Sequence, residues 1–359
     1  MPAPIRAKAL QPGDTIAFIS PSARINNDML DVLARATGVL TDLGFKVRVF
    51  FNTDTGIQSS ISNRLSEIRA AFSDPSIAGV CCTIGGTTFT ELLPALLRDT
   101  ELHATIRANP KVFWGYSDIT GFHWFLYGMT GLRTFYGPAP FPELGEPNSH
   151  KDKDTPLAFC VENLTRAIAS SEPLGVIPRS TTYAPRAAEC FTNPTTTTPP
   201  ALAPSPKWRW IRSGKGQGKL FGGLLTAMPR LQGVPALRPD WKGKIVFAEQ
   251  ALADDDASGV ALVRIQAAFA DLIASGVFDE AEGLVVGRPF GYDSAQQQEE
   301  YVKMLTELFC EGEMASKTFP ILMNVDIGHT TPMVTLPFDA TAVLDSEQDL
   351  FSVVEAGVV

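Results

Sequence analysis

The sequence predicts an α/β protein, with a doubly wound, largely parallel sheet in its N-terminal part and a second α/β region in its C-terminal part. Three observations carry that reading. From residue 15 to about residue 140, short apolar runs of strand length alternate with amphipathic stretches of helical period. The turns after those runs are short and rich in serine, threonine or glycine, as in repeated βα units. A threonine-, proline- and alanine-rich stretch at 192–206 then breaks the pattern, which resumes beyond it with further apolar runs.

Taken in order, Thr15-Ile16-Ala17-Phe18-Ile19 reads as a buried strand that ends at Ser20-Pro21-Ser22. Asn27 and Asp28 suit the start of a helix whose apolar face is Met29, Leu33, Val39, Leu40 and Leu43, with Gly44 as its stop. Further strands are expected at 47–50, 80–84, 112–115 and 133–136, and helices at 62–72, 90–97 and 119–127. Beyond the Thr/Pro/Ala-rich stretch, expected to be a surface loop with no regular element, strands are expected at 244–248, 283–287 and 320–325. The chain therefore divides into an N-terminal α/β domain over 1–165, a linker with the loop over 166–206, and a C-terminal domain over 207–359. In a doubly wound sheet ligands sit beyond the carboxyl ends of the strands. Three turns converge there: Ser20-Pro21-Ser22, Gly85-Gly86-Thr87-Thr88 and Gly115-Tyr116-Ser117-Asp118.

Composition narrows the function. The chain has 359 residues, 45% of them hydrophobic, enough for two full cores. A net charge of -9, with no clustered Lys and Arg, argues against a nucleic acid polymer as partner. Five cysteines without a C-x-x-C pair give neither a disulfide framework nor a zinc site. The N-terminal residues lack the apolar run of a signal peptide, and no stretch is long enough to span a bilayer, so a cytoplasmic location is expected and the Asn163-Leu164-Thr165 sequon is read as chance.

The chemistry starts at Ser117. Lys111-Val112-Phe113-Trp114 is strand-like, and Asp118 opens a helical pattern, so Ser117 falls on the turn between them, at the sheet's carboxyl edge. Unpaired N–H groups at a helix start are suited to a developing oxyanion. A glycine easing the turn and a serine capping the helix explain the same residues without chemistry, and Ile119 stands where an α/β-hydrolase elbow has its last glycine. A nucleophilic serine needs a base, and there are four histidines. His103 lies in a polar helical stretch, His123 about two turns beyond Ser117, and His150 among polar loop residues. His329, in Asp326-Ile327-Gly328-His329-Thr330-Thr331-Pro332, follows a buried strand between a glycine and a proline, which suits a positioned base as well as an ordinary loop. Glu249 ends the strand at 244–248, either as the carboxylate that orients an imidazole or as a solvated strand-end acid.

The ordered set of motifs resembles the LD-carboxypeptidase family of serine peptidases. The match runs from Leu10-Gln11-Pro12-Gly13-Asp14 and Ser20-Pro21-Ser22 through Thr83-Ile84-Gly85-Gly86 and Gly115-Tyr116-Ser117-Asp118-Ile119-Thr120. It continues with Gly222-Gly223-Leu224-Leu225, Phe247-Ala248-Glu249 and Gly328-His329-Thr330-Thr331-Pro332. The resemblance implies a flavodoxin-like N-terminal domain, a C-terminal α/β domain of swivelling β/α/β type, and a homodimer. It also implies Ser117 as nucleophile, His329 as general base, Glu249 as its orienting carboxylate, and the backbone N–H groups of Gly86 and Asp118 as oxyanion hole. The wording of Thr83-Ile84-Gly85-Gly86 looks like the microcin C immunity (MccF-like) branch, which implies small peptidic or aminoacyl-nucleotide substrates. Release of D-alanine from muramoyl tetrapeptides and a silent α/β binding protein are the alternatives. Substrate contacts are expected from Ser20, Thr87 and two indoles, Trp208 and Trp210, which either stack on a nucleobase or pack at a domain edge. Arg212, Lys215 and Arg288 are candidate anion partners. Gly214-Lys215-Gly216-Gln217-Gly218-Lys219 lacks Walker spacing and is expected to be a flexible connector. Asp254-Asp255-Asp256 is read as the cap of a helix beginning near Ala257, with no metal and no cofactor expected.

Overall fold

A computed structural model describes residues 2–255 and 257–359. Its first sheet contains β1 (Thr15–Ile19), β2 (Lys46–Phe50), β3 (Ile77–Cys82), β4 (Val112–Gly115) and β5 (Phe135–Tyr136), all parallel, in the spatial order β2-β1-β3-β4-β5. That is the flavodoxin-like order. β6 (Gly175–Val176) joins a second sheet, while β7 (Thr182–Tyr183) and β8 (Ala203–Pro204) pair with each other outside both. The second sheet is built on β9 (Arg209–Arg212), β10 (Lys215–Leu224), β11 (Lys244–Glu249), β12 (Gly283–Gly287) and β13 (Ile321–Val325). β14 (Leu336–Pro337) returns to the first sheet and pairs antiparallel with β5. β15 (Thr341–Asp345) and β16 (Leu350–Val353) complete the second, whose order is β6-β16-β15-β10-β11-β12-β13-β9 with β10 through β13 parallel.

Burial explains which runs became central. All four residues of β4 and all six of β11 are buried, as strands covered by helices on both faces must be, whereas β2, at the sheet edge, is mostly exposed. Each fully buried Val, Ile or Phe stabilises the layer by about 1.5–3 kcal/mol. The helices are punctuated as their sequences require. Asp99 accepts from Leu102 N (3.0 Å) at the start of Thr100–Ala108, Thr155 accepts from Ala158 N (3.2 Å) ahead of Pro156–Ala169, and Ser294 with Gln297 forms a capping box.

Four local expectations change. The glycine-rich stretch at 214–219 is not a connector: residues 215–224 form β10, at the centre of the second sheet. Its glycines answer to close backbone approach, since a Cβ on Gly216, Gly218 or Gly222 would collide with the carbonyls of Glu282, Gly243 and Phe247. The helix expected near Ala257 begins at Leu262; Asp255 instead closes a turn by accepting from Ala257 N (3.0 Å) and Ser258 N (2.9 Å). Asp256 lies outside the described residues. The helix expected at 90–97 splits into a 3-10 turn, Phe89–Leu92, and a short α-turn, Leu93–Leu96. The Thr/Pro/Ala-rich stretch contributes one element, β8, because its backbone reaches β7.

The two sheets are joined directly at the helix that follows Ser117. Trp124 Nε1 donates to Gly222 O (2.9 Å), and Leu224 N donates to Thr120 Oγ1 (2.9 Å). Gly223 must be glycine here, with φ +136 and Thr120 Cβ 3.0 Å from where its own Cβ would stand. These contacts bring the end of β4 alongside the end of β11. Among the described residues no helix is long and apolar enough to cross a membrane.

Candidate active site

Ser117 follows β4 and opens the 3-10 turn Ser117–Ile119, ahead of the helix Thr120–Phe125. Its φ is +68, a left-handed conformation that costs a non-glycine residue about 1–2 kcal/mol. Three contacts hold it there. Ser117 N donates to Tyr136 Oη (3.0 Å), Thr120 Oγ1 donates to Ser117 O (2.7 Å), and Ile119 N donates to Tyr116 O (3.3 Å). The Gly85-Gly86 turn lies against the serine. A Cβ on Gly85 would stand 2.8 Å from Ser117 Oγ and 3.1 Å from Asp118 N; one on Gly86, with φ +138, would stand 2.8 Å from Ala23 N. Only glycine allows this approach.

Glu249 ends β11 and is 2% exposed. One carboxylate oxygen accepts from Tyr136 Oη (2.5 Å); the other accepts from His329 Nδ1 (2.8 Å) and His329 N (3.2 Å). Gly328, with φ +82, is the residue that admits this, because a Cβ there would collide with the Glu249 carboxylate. With Nδ1–H donated to a carboxylate, the lone pair of His329 is left on Nε2. Burial opposes charging this imidazole, and the carboxylates of Glu249 and then Glu143 outweigh it, so its pKa is raised above 6.5. Ser117 Oγ and His329 Nε2 make no hydrogen bond with each other. Such contacts are often long before substrate binds.

Tyr136 thus bridges the two halves, accepting from Ser117 and donating to Glu249. It was not among the residues singled out in the sequence; a strand-end tyrosine ahead of Gly137-Pro138 is its only signal. Tyr116 was missed as well. Its ring meets His329 edge-on at 5.0 Å between centroids, and its hydroxyl donates to Glu143 Oε1 (2.7 Å).

The other expected site residues are placed as follows. Asp118 is buried, its carboxylate accepting from Ser22 Oγ (2.7 Å) and Phe89 N (2.9 Å), and burial raises its pKa despite those partners. Ser20 is fully buried, with its hydroxyl between Asn26 Oδ1 (2.8 Å) and Thr83 Oγ1 (2.7 Å), so it supports the turn rather than facing a ligand. Thr87 is exposed. Neither indole is at the site. Trp208 is buried beneath the Arg179 guanidinium (3.7 Å), and Trp210 on edge strand β9 donates to Asp349 Oδ1 (2.8 Å). Packing at the sheet edge is what both do. Arg212 is held by Phe319 O (2.7 Å) and Phe309 O (2.6 Å), Lys215 by Asp345 and Glu347, and Arg288 by Asp326, Thr330 and Ser180. His123 is buried between Thr134 Oγ1 (2.8 Å) and Gly115 O (3.0 Å), and burial holds its pKa down to about 3, so it remains neutral. His103 bonds Leu96 O (2.8 Å), and His150 faces Asp42 at 4.0 Å.

Beside the His329 loop lies a cavity of about 480 Å³, walled by Pro142, Glu143 and Glu146 on one side and by residues of the 184–201 segment on the other, with Thr331 at its edge. The Thr/Pro/Ala-rich stretch is therefore part of the site's surroundings. Among the described residues no aromatic side chain lines this cavity.

Residues 16–137 match the LD-carboxypeptidase N-terminal domain, and residues 217–344 the LD-carboxypeptidase C-terminal domain. The microcin C7 self-immunity protein MccF of Escherichia coli is 28% identical over 355 residues, which cover 98% of this chain and 96% of that protein. A probable murein peptide carboxypeptidase of Bacillus subtilis is 26% identical over 356 residues, covering 98% and 95%. Among solved structures, MccF in complex with glutamyl sulfamoyl guanosine superposes with a TM-score of 0.84 at 26% identity, covering 99% of this chain and 100% of that one.

Proposed function

Because the chain belongs to the LD-carboxypeptidase family of serine peptidases, we propose that it hydrolyses amide bonds of small peptidic substrates through Ser117, His329 and Glu249. The observation that carries the reading is the Glu249–His329 hydrogen bond, which fixes the imidazole tautomer beside the turn that bears Ser117. Ser117 Oγ adds to the scissile carbonyl carbon as its proton passes to His329 Nε2, and the N–H groups of Gly86 and Asp118 receive the oxyanion. His329 then returns the proton to the leaving amine. A water molecule, deprotonated by the same nitrogen, opens the acyl ester and releases the acid. Glu249 stabilises the imidazolium formed in each half.

The relatives named above support two substrate readings. The first is a peptidyl or aminoacyl group joined to a nucleotide-like moiety, as the ligands of the MccF structures resemble. The second is a murein-type peptide, and the cavity supports it: among the described residues no aromatic ring lines it to stack on a base, while the carboxyls of Glu143, Glu146 and Glu189 and the guanidinium of Arg186 can pair with a peptide's amine and carboxylate. Hydrolysis of a tetrapeptide ending in D-alanine, compared with that of an aminoacyl nucleotide with a stable sulfamoyl linkage, separates them. Release of D-alanine alone defeats the first reading, and cleavage of the nucleotide alone defeats the second.

Two further results are expected. A fluorophosphonate should label the folded wild-type chain stoichiometrically at Ser117, as shown by mass spectrometry of the peptide; an unlabelled folded protein sinks the mechanism. The labelling rate should also depend on pH. His329 accepts a proton only when neutral, and its pKa is raised by its carboxylate neighbours, so the rate should rise with pH and reach half its plateau above pH 6.5.

A further inference from the structure

On the reading that His329 is the base, we infer that Glu143 is a positioning residue for this site: through Tyr116 it holds the nucleophile turn and the imidazole, and it presents a second negative charge to His329. Three observations meet at this carboxylate. Tyr116 immediately precedes Ser117, and its hydroxyl has Glu143 Oε1 as its partner (2.7 Å). The other oxygen, Oε2, accepts from Ala139 N (3.1 Å), and Leu144 N donates to Ala139 O (3.0 Å), so the carboxylate is anchored to its own loop. The Tyr116 ring lies edge-on against His329 at 5.0 Å and against Tyr136 at 6.2 Å, between the two groups that bind Glu249. Glu143 is therefore linked to the imidazole through one aromatic ring, that of Tyr116.

The arrangement has a purpose that Glu249 alone does not serve. Ser117 has φ +68, and the hydrogen bond to Tyr136 acts on the serine itself. A residue in such a conformation persists only when its surroundings over-determine it. Tyr116, extended and pinned at its far end by Glu143, fixes the residue before the strained one. The same tether keeps the ring against His329, which Glu249 holds only by Nδ1 and the backbone.

Charge is the second part of the role. Glu143 is 3% exposed, and burial pushes its pKa up to about 7, so its charge changes near neutral pH, and its field is one of those that raise the His329 pKa. The groups that face it are Tyr116 after β4, Cys81 on β3, Cys160 on the helix Pro156–Ala169, Cys190 in the 184–201 segment, Glu146 on its own loop, and His329. Arg35, whose Nε donates to Gly145 O (2.7 Å) and whose field reaches Cys190, and Arg186 and Glu189, which line the same cavity as Glu143, are further charged groups around this loop. The thiols are neutral near pH 7, since burial raises all three. His329 is thus the group that gains from ionised Glu143, while Glu146, also raised to about 7, competes with it for charge.

The test is the pH dependence of fluorophosphonate labelling in Glu143→Gln and Tyr116→Phe. Gln keeps an acceptor for the tyrosine but has no charge, so the acidic limb should move to lower pH by roughly half a unit or more, with the plateau rate lowered only a few-fold. Phe keeps the ring but releases the tether, so the plateau should fall about tenfold. A residue that merely supported the fold would change melting temperature or active fraction and leave the limb where it is. An unmoved limb in folded Glu143→Gln overturns the electrostatic role, and an unchanged plateau in folded Tyr116→Phe overturns the positioning role. If one variant fails to fold, the other still decides its half, and Glu143→Asp, with the charge kept on a shorter arm, should restore the limb but not the plateau. Absence of labelling in the wild type would be a failure of the proposed mechanism, distinguishable from either outcome.

Discussion

Replacing Ser117 by alanine should abolish fluorophosphonate labelling and lower kcat about 10⁴- to 10⁶-fold while the protein remains folded. The separation of the two effects follows from the serine's contacts. Its N–H and C=O are what the structure uses, through Tyr136 and Thr120, and both survive the substitution. Its hydroxyl makes no hydrogen bond to another described residue, so no protein partner is orphaned by its loss. Alanine pays the same conformational cost as serine at φ +68, which leaves the balance of backbone strain unaltered. Thermal denaturation should therefore give a Tm close to that of the wild type. A folded alanine variant with near wild-type turnover would remove Ser117 from the chemistry.

Replacing Glu249 by glutamine should lower kcat about 10⁴-fold with little change in KM, which reports binding outside this hydrogen bond. The carboxylate accepts three hydrogen bonds, from Tyr136 Oη, His329 Nδ1 and His329 N, and has no proton to give. An amide can satisfy only part of that set. With its oxygen toward His329, its NH₂ faces the Tyr136 hydroxyl, which must then give up its donated proton contact. With its NH₂ toward His329, the imidazole must accept at Nδ1 and carry its proton on Nε2, the nitrogen required to be free. Either way the imidazolium loses its buried counter-charge. The residual activity should also show its acidic limb at lower pH, because the largest influence raising the His329 pKa is removed. Retention of wild-type kcat, or a limb at unchanged pH, would show that Glu249 has no part in setting the imidazole's state.

How far the residues alone lead can be seen at three places. β4 and the turn after it are local features: an apolar run, then Gly115, then a serine and an acid, and the structure has strand, turn and helix in that order. The Gly214 to Lys219 stretch was misread as a connector, because dense glycine has the same local pattern whether the backbone is free or pressed between strands. Only the neighbouring carbonyls of Glu282, Gly243 and Phe247 distinguish the two. For Trp208 and Trp210 the sequence leaves stacking on a ligand and packing at a domain edge equally open. Their actual surroundings, Arg179 and Asp349, lie far from them in sequence and decide that the rings pack.

By itself the sequence determined the α/β plan, the strand-end positions of Ser117 and Glu249, and the loop position of His329 between a glycine and a proline. Each of these is set by neighbours within a few residues, through apolar periodicity, turn chemistry and glycine's access to positive φ. The Glu249–His329 bond, between residues 80 positions apart, is implied only through the family resemblance, and the tertiary structure alone decided that Tyr136 reaches Glu249 across 113 positions and that Tyr116, held by Glu143, lies against the imidazole. Glu249 ends one strand of the second sheet and His329 follows another, but the contacts of Tyr136 with Glu249 and of the Tyr116 ring with His329 depend on how the two sheets dock, at Thr120 against Gly223 and Trp124 against Gly222. A hydrogen bond between side chains so distant leaves no periodicity in the chain, because nothing but the packed core brings its two ends within 3 Å.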